Sequence, residues 1–405
     1  MKTVHTVQAT PRMKAMRGRI ALQKHCVRSV FKSSSCFAEA LGVRARPRAA
    51  LTILFLAIAT RLCAEELPRK AKRPRESYPN ADVIYDSITT PDGKRLRTII
   101  TKPRDAKGKV PVIFVAGWLS CDSIEAPVGT KDESGLVFRG LAQLPEFALF
   151  RTDKQGVGDS EGVCAETDFD SELAGYRAAF RALKNYDFID TKKIYILAIS
   201  NGGGFAPLVP ESDAEQRQVR GYISVGGWVK TWFEHMLEIE RRRFVLMGKS
   251  PGEVNDRMKG VATLYYEWLI KGRSVDDILK EQPPLADLWP EGKDHAHLYG
   301  RPLGFYQQLQ QLNLAAAWSR VKVPTYVLRG AFDWIMSRND SELISAYVNK
   351  NGDLASFYEI PNTGHTFQHY LSLADAFKGK SAPFDPKVIG LLVDWLRNKA
   401  ITHED

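Results

Sequence analysis

The sequence predicts an α/β protein with a mostly parallel sheet flanked by helices and a helical segment inserted between two strands. Three observations predict this class. Short apolar runs recur between residues 111 and 360, helical stretches separate most of them, and the strand pattern stops from about residue 228 to 318. The chain has 405 residues, of which 44% are hydrophobic and 26% are charged, and it can bury a sizeable core.

The net charge of +10 lies in the N-terminal tail. Residues 1–50 contain eleven Lys and Arg and a single acidic residue, Glu39, whereas basic and acidic residues balance in the remainder. The balanced part lacks the basic excess of a nucleic-acid-binding domain. We therefore expect no nucleic-acid partner; the small-molecule or short-peptide substrate that we also expect follows from the candidate catalytic residues described below.

Residues 1–64 are typical of a basic tail followed by a signal peptide. The apolar run at 49–60 follows the basic stretch 44–48, and it is shorter than the roughly 20 residues of a membrane span. We expect cleavage near Ala64, a periplasmic or secreted protein, and no stable membrane span afterwards. The alternatives are a buried helix, an organellar presequence and a lipoprotein anchored at Cys63.

Residues 65–80, rich in Lys, Arg, Pro and Glu, predict a linker. The sheet and its helices are then expected in 81–227 and 319–405. Strands are predicted at 83–88, 95–100, 111–116, 147–150, 194–198, 221–225, 325–328 and 357–360. The first two flank Pro91-Asp-Gly93, a hairpin signal. Helices are predicted at 134–143, 168–185, 338–350 and 385–399.

The segment 228–318, called the cap segment below, shows helical periodicity and no convincing strand. It contains five of the eight tryptophans. We expect a helical cap whose aromatic residues supply the apolar walls of a pocket, with Trp232 and Trp268 as candidate lining residues. The alternative is that these aromatics are only the core of the cap.

The sharpest local signal is Ile194-Tyr-Ile-Leu-Ala-Ile-Ser200-Asn-Gly-Gly-Gly204. A strand runs directly into Ser200, with Ala198 two positions before it, Gly202 two positions after it, and a helix following. A sharp strand-to-helix turn leaves no room for larger neighbours beside the serine. Such a turn exposes the serine hydroxyl and places the next amide and the helix N-terminus beneath a developing oxyanion.

Three further features complete a pattern. Leu328-Arg-Gly-Ala-Phe-Asp333 places a carboxylate just beyond one strand, and Glu359-Ile-Pro-Asn-Thr-Gly-His365 places a histidine just beyond the next. Val115-Ala-Gly-Trp118 leaves an earlier strand at a glycine. This order of serine, aspartate and histidine resembles that of the α/β-hydrolases. The resemblance covers roughly residues 82–400 and includes the loop Asp153–Gly162, which is similar to one in the esterase and peptidase branches.

The resemblance implies an eight-stranded sheet and a catalytic triad. Ser200 would be the nucleophile, His365 its general base, and Asp333 the group that orients the imidazole. The amides of Trp118 and Asn201 would form the oxyanion hole. No metal and no organic cofactor are required.

Some side chains have rival interpretations. Asp159 or Glu161 could serve as the triad acid, although nothing places them after a strand that faces the histidine. His295 and His297 could be metal ligands, but two histidines two positions apart lie on different faces of a helix, which favours a solvated loop.

Three functions are compatible with these residues. The first is an exported carboxylic ester hydrolase that forms an acyl-enzyme. The second is a serine aminopeptidase or dipeptidyl-type peptidase, in which a cap carboxylate such as Glu238, Glu240 or Glu267 would hold the substrate's ammonium group. The third is a binding protein on a hydrolase scaffold, which retention of the serine, acid and histidine disfavours.

Two cysteines, Cys121 and Cys164, remain after signal cleavage, and an even count in an oxidising compartment hints at a disulfide. In the strand order of the family, the strands that precede these residues are neighbours. The resemblance therefore implies that the two loops meet at one rim and that the cysteines can pair. The alternative is two buried free thiols.

Overall fold

The computed structural model describes residues 66–401. The predicted tail, signal peptide and cleavage point near Ala64 lie outside the described residues. Within residues 66–401, no helix is both long and apolar enough to cross a membrane.

One eight-stranded sheet organises the domain. Its strands are β1 (Ala81–Thr89), β2 (Arg95–Pro103), β3 (Val110–Ala116), β4 (Ala148–Thr152), β5 (Ile189–Ile199), β6 (Val219–Val225), β9 (Thr325–Gly330) and β10 (Ala355–Ile360). Their spatial order is β1-β2-β4-β3-β5-β6-β9-β10. Only the β1–β2 and β2–β4 pairs are antiparallel, which confirms the predicted mostly parallel sheet and its initial hairpin.

Helices cover both faces of the sheet. They are α1 (Glu133–Leu141), α2 (Phe169–Ala182), α3 (Asn201–Phe205), α4 (Asp213–Gln216), α5 (Trp232–Leu246), α6 (Pro251–Tyr265), α7 (Val275–Glu281), α8 (Leu303–Gln310), α9 (Leu314–Ser319), α10 (Arg338–Val348), α11 (Leu373–Phe377) and α12 (Lys387–Ile401). Alternate residues of a strand point to opposite faces. In β3, Phe114 packs in the core with α2, whereas Ile113 packs in the core with α1 and α12.

Residues 66–80 differ from the linker that the composition predicts. They form no helix or strand, but they pack against the domain. The Glu76 carboxylate lies 2.8 Å from the guanidinium of Arg151, and both side chains are fully buried. Arg69 also pairs with the buried Glu125 at 2.7 Å. The charges that suggest a solvated segment are therefore used in ion pairs with the domain.

The cap segment lies between β6 and β9. It contains α5 to α9, with a π-helical turn at Tyr266–Ile270. It also contains a small antiparallel pair, β7 (His297–Leu298) and β8 (Arg301–Pro302), which the sequence analysis did not predict. Strands of two residues are too short to leave an alternating pattern.

Candidate active site

The turn at Ser200 joins β5 to α3. Ser200 has φ of 57°, a value that non-glycine residues rarely adopt, and its amide donates to the Val225 carbonyl at 2.8 Å. A Cβ atom on Gly202 would lie 2.4 Å from the carbonyl oxygens of Ala116 and Gly117. The elbow therefore packs so closely on the end of β3 that this position accepts only glycine.

The structure brings Ser200, His365 and Asp333 together. The Oγ atom of Ser200 lies 2.9 Å from Nε2 of His365, and Nδ1 of His365 lies 2.7 Å from Oδ2 of Asp333. The three side chains follow β5, β10 and β9, whose carboxyl ends meet at one edge of the sheet. Both distances are within hydrogen-bonding range, and they match the order of contacts that the sequence predicts.

Asp333 is held as a carboxylate. Its Oδ1 atom accepts hydrogen bonds from the amides of Ile335 and Met336, each at 2.9 Å. Burial raises the pKa of Asp333, but the charge and hydrogen bond of His365, together with Arg329, lower it more, so the pKa is below its ordinary value. The carboxylate can therefore orient the imidazole and stabilise its cationic form.

The amides of Trp118 and Asn201 flank the serine turn. The Gly202 amide donates to the Gly117 carbonyl at 2.9 Å, which fixes the loop after β3 beside the N-terminus of α3. Among residues 66–401, neither the Trp118 amide nor the Asn201 amide donates a hydrogen bond. Two free donors beside the serine fit the predicted oxyanion hole.

The loop 117–121, called the oxyanion loop below, is held by side chains that the sequence analysis did not single out. The Gly117 amide donates to the Tyr176 hydroxyl at 2.9 Å. The buried Lys154 ammonium donates to the carbonyls of Trp118 and Ser120. Burial lowers the pKa of Lys154 to about 8, against the opposing charge of Glu172. Only the three-dimensional contact reveals these roles, since Lys154 and Tyr176 sit among ordinary loop and helix residues.

A disulfide fixes the end of this loop. Cys121 and Cys164 are joined with an S–S distance of 2.07 Å and a Cα–Cα distance of 6.0 Å, which confirms the predicted pairing. The Arg301 guanidinium, from β8 of the cap segment, lies 2.7 Å from the Cys164 sulfur and forms an ion pair with the buried Glu172. The cap segment thus contacts the oxyanion loop through the disulfide.

The rival triad acids are engaged elsewhere. Asp159 lies 2.7 Å from the buried guanidinium of Arg97, and Glu161 lies 2.8 Å from Arg95. Neither contacts His365 in the described structure.

The two histidines considered as metal ligands contact different carboxylates. His295 contacts Asp276 at 2.6 Å, and His297 contacts Asp294 at 3.2 Å. Across residues 66–401, no group of three or more His, Cys, Asp or Glu side chains is arranged to hold a metal ion.

The three cap carboxylates proposed for an ammonium site are all paired with cations. Glu238 contacts Lys230, and the buried Glu240 contacts Arg243 and the Tyr265 hydroxyl. Glu267 forms ion pairs with Lys271 at 2.9 Å and with Arg273 at 3.1 Å.

The two tryptophans proposed for the pocket lie at different depths in the cap segment. Trp232 is 2% exposed, and its ring centroid is 4.9 Å from that of Trp228, whose Nε1 donates to Oδ1 of Asn201 at 3.0 Å. Trp268 is fully buried among the rings of Tyr265, Trp289 and Tyr306. Trp232 is thus one ring from the serine turn, whereas Trp268 has the surroundings of a core residue. The pocket role of both stays a prediction.

His235 lies beside the triad and was missed by the sequence analysis. Thr231 and Glu234 form a capping box that starts α5 at Trp232, so Trp232 and His235 share one face of the helix. Burial, reinforced by Arg242, lowers the pKa of His235 to about 3, and the charges of Asp333 and His365 also act on it. A single histidine on an amphipathic helix carries no signal that distinguishes it from core.

Three observations decide the fold. They are the strand order, the strained serine at the end of β5, and the acid and histidine that follow β9 and β10. The chain has the α/β-hydrolase fold. No family model matches it, and no curated protein matches it in sequence.

Solved structures of this fold are similar to the chain at low identity. Est1E from Butyrivibrio proteoclasticus, with ferulic acid bound, is 16% identical with a TM-score of 0.45, over 72% of this chain and 96% of that one. The Pyrococcus furiosus esterase Pf2001 is 11% identical with a TM-score of 0.48, over 83% and 98%. The acylaminoacyl peptidase of Pyrococcus horikoshii is 13% identical with a TM-score of 0.48, over 79% and 42%.

Proposed function

We propose that this α/β-hydrolase is an exported serine hydrolase that cleaves carboxylic esters through an acyl-enzyme. The observation that carries the proposal is the continuous chain of contacts from Ser200 Oγ through His365 to Asp333, at 2.9 and 2.7 Å. Serine is a poor nucleophile at its own pKa, so a base within hydrogen-bonding distance is what the reaction needs.

The reaction follows from these contacts. As Ser200 Oγ attacks the ester carbonyl carbon, its proton passes to Nε2 of His365. The carbonyl oxygen, now an oxyanion, accepts hydrogen bonds from the amides of Trp118 and Asn201. His365 then gives its proton to the departing alcohol, which leaves an acyl-enzyme. Water then attacks the acyl carbon as His365 takes its proton, and His365 passes that proton to Ser200 Oγ as the acid leaves.

The cap segment favours ester over aminopeptidase chemistry. An aminopeptidase of this kind needs a carboxylate that is available to the substrate's ammonium group. Glu238, Glu240 and Glu267 already pair with basic side chains of the cap segment. An ammonium group would therefore have to share each carboxylate with a cation that already neutralises it.

Parallel assays test the proposal. The mature chain is incubated with p-nitrophenyl butyrate and with aminoacyl-p-nitroanilides, and Ser200 is labelled with a fluorophosphonate. We expect ester cleavage, labelling at Ser200 and little anilide cleavage. Anilide cleavage faster than ester cleavage would favour the peptidase, and absence of both cleavage and labelling would indicate a binding protein.

A further inference from the structure

Three buried polar side-chain atoms, one on the residue after Ser200 and two on α5, have no hydrogen-bond partner among residues 66–401. They are Nδ2 of Asn201, Nε1 of Trp232 and Nδ1 of His235. All three side chains are at least nine-tenths buried. A buried polar atom without a partner costs about 1–3 kcal/mol, so three together beside a candidate nucleophile need an explanation.

The three side chains are connected through one ring. Oδ1 of Asn201 accepts from Nε1 of Trp228, and the Trp228 ring centroid is 4.9 Å from that of Trp232 and 6.3 Å from that of His235. Trp232 and His235 are themselves 4.7 Å apart. Because Asn201 directly follows Ser200, one member of this group belongs to the serine turn, and the Trp228 ring connects the other two to it.

Helix α5 is fixed against the site from its other end. Arg242 donates to the carbonyls of Trp334 and Ile335, at 2.9 and 2.7 Å, in the loop that begins with Asp333. The positions of Trp232 and His235 relative to the triad are therefore set by contacts that do not involve the three unpartnered atoms.

The chemistry of these atoms defines what could satisfy them. The Trp232 indole and the Asn201 amide nitrogen only donate, and the neutral imidazole of His235 donates or accepts according to its tautomer. Their natural partner is an oxygen that accepts hydrogen bonds. None of the three side chains is charged at neutral pH, so together they match an uncharged oxygen, which can accept their hydrogen bonds without a counter-ion.

We propose that Asn201, Trp232 and His235 form a subsite for a second, uncharged oxygen of the substrate. The substrate class is then a hydroxy or oxo ester, with that oxygen in either its acyl or its alcohol part. This inference rests on the proposed esterase function and adds the chemical class of its substrate.

The test compares matched esters in two arms. In the acyl arm, p-nitrophenyl 2-hydroxybutyrate and 3-hydroxybutyrate are compared with p-nitrophenyl butyrate. In the alcohol arm, 2-hydroxyethyl butyrate is compared with propyl butyrate. For each pair, the ratio of kcat/KM is measured in the wild type, in Trp232→Phe and in His235→Phe, so intrinsic ester reactivity cancels between enzymes.

We expect the preference of the wild type for the oxygen-bearing ester to fall about ten- to hundredfold in both variants, in at least one arm. The responding arm identifies the part of the substrate that carries the oxygen. Trp268→Phe is the matched control, because its indole nitrogen is also buried without a partner among residues 66–401, but its ring contacts Trp289 and not Trp228, the residue hydrogen-bonded to Asn201. Its preference should change less than twofold.

Equal preferences in the wild type and both variants, in both arms, would overturn the subsite and indicate that water fills the space. Melting temperatures identify a variant that fails to fold, in which case the other variant decides. If no ester is cleaved and Ser200 is not labelled by a fluorophosphonate, the proposed esterase function fails. If esters are cleaved with unchanged ratios, only the subsite fails.

Discussion

On one side of Ser200 lies the oxyanion loop, whose polar groups are paired with Tyr176 and Lys154 and whose end is covalently fixed at Cys121. Helix α5, in contrast, carries two buried polar atoms, Nε1 of Trp232 and Nδ1 of His235, that have no hydrogen-bond partner among residues 66–401. Groups that stabilise charge in a transition state must be oriented before the substrate arrives. Groups that recognise a substrate must leave their hydrogen bonds for it. The fixed oxyanion loop suits its proposed role in transition-state stabilisation, and the unpartnered atoms of α5 suit their proposed role in substrate recognition.

The largest expected effect comes from the serine itself. Ser200→Ala should lower turnover of p-nitrophenyl butyrate by a factor on the order of 10⁵ to 10⁶, because no other group can form the acyl-enzyme. Initial rates and melting temperatures measure the effect and the folding. Ser224→Ala is the matched control, since it removes a buried hydroxyl of β6 that donates to the Gly203 carbonyl in α3. A Ser200→Ala enzyme with a tenth of normal activity would refute the assignment.

The next effect tests the acid. Asp333→Asn should lower kcat by about 10⁴-fold, because the amide favours the wrong imidazole tautomer. The control is Asp340→Asn, since Asp340 is also buried and also accepts two backbone amides, those of Val229 and Lys230. It should cost less than tenfold in kcat despite a comparable loss of stability. Similar kcat values for the two variants would contradict the role of Asp333.

The third effect tests the covalent fixation of the oxyanion loop. Removing both cysteines in Cys121→Ala/Cys164→Ala should lower the free energy of unfolding by about 4 kcal/mol in the chain-entropy model, given the sequence separation of 43. Because Tyr176 and Lys154 still hold the loop, kcat should fall only about tenfold. Urea unfolding and ester assays measure both quantities. An unchanged unfolding midpoint would show that the bridge does not constrain the chain.

The smallest effect tests the buried imidazole of α5. The unfolded chain binds a proton at His235 near pH 6.5, but burial lowers the pKa in the folded chain to about 3, and Arg242, Lys230, Asp333 and His365 also act on it. Between these values the unfolded state holds the extra proton, so stability is complete above about pH 6.5 and falls as the pH drops toward 3. The slope is about 1.4 kcal/mol per pH unit.

His235→Gln should remove this slope, as measured by urea unfolding between pH 7 and 4. The exposed His369 provides the control variant, His369→Gln, which should retain it. An identical pH dependence in the wild type and in His235→Gln would mean that the imidazole is solvated in the folded chain.

The strands and the order of the triad could be predicted because their signals are local. Apolar runs such as Pro111–Ala116 reflect burial on both faces of the sheet, and the residues just beyond three strands carry the serine, acid and histidine. The strand order then determines that these ends meet. This inference does not depend on how far apart the three residues lie in the sequence.

The cap side could not be predicted because its contacts join distant positions. His235 lies in α5 and Asp333 follows β9. The charge of Asp333 acts on the pKa of His235 only because the fold places α5 near the loop after β9. For the same reason, the sequence predicts a pocket-lining role for both Trp232 and Trp268, although the two rings have different neighbours in the structure. The packing of residues 66–80 on the domain has a similar cause, since Arg151, the partner of Glu76, lies in β4.

The cap segment occupies a single connection of the fold. Strands β6 and β9 are parallel neighbours, paired from Tyr222 with Thr325 to Val225 with Leu328, and α9 alone could provide the crossover between them. The cost of closing a connection grows only with the logarithm of its length, by about 0.6 kcal/mol per doubling. A change in the length of this connection therefore costs little closure entropy, whereas loss of Trp228, Arg242 or Arg301 would also remove contacts with Asn201, with the loop after Asp333 and with Glu172. The cap segment is therefore covalently joined to the sheet at two neighbouring strands, and its side chains hold it to the triad loops and to the buried Glu172 at several further points.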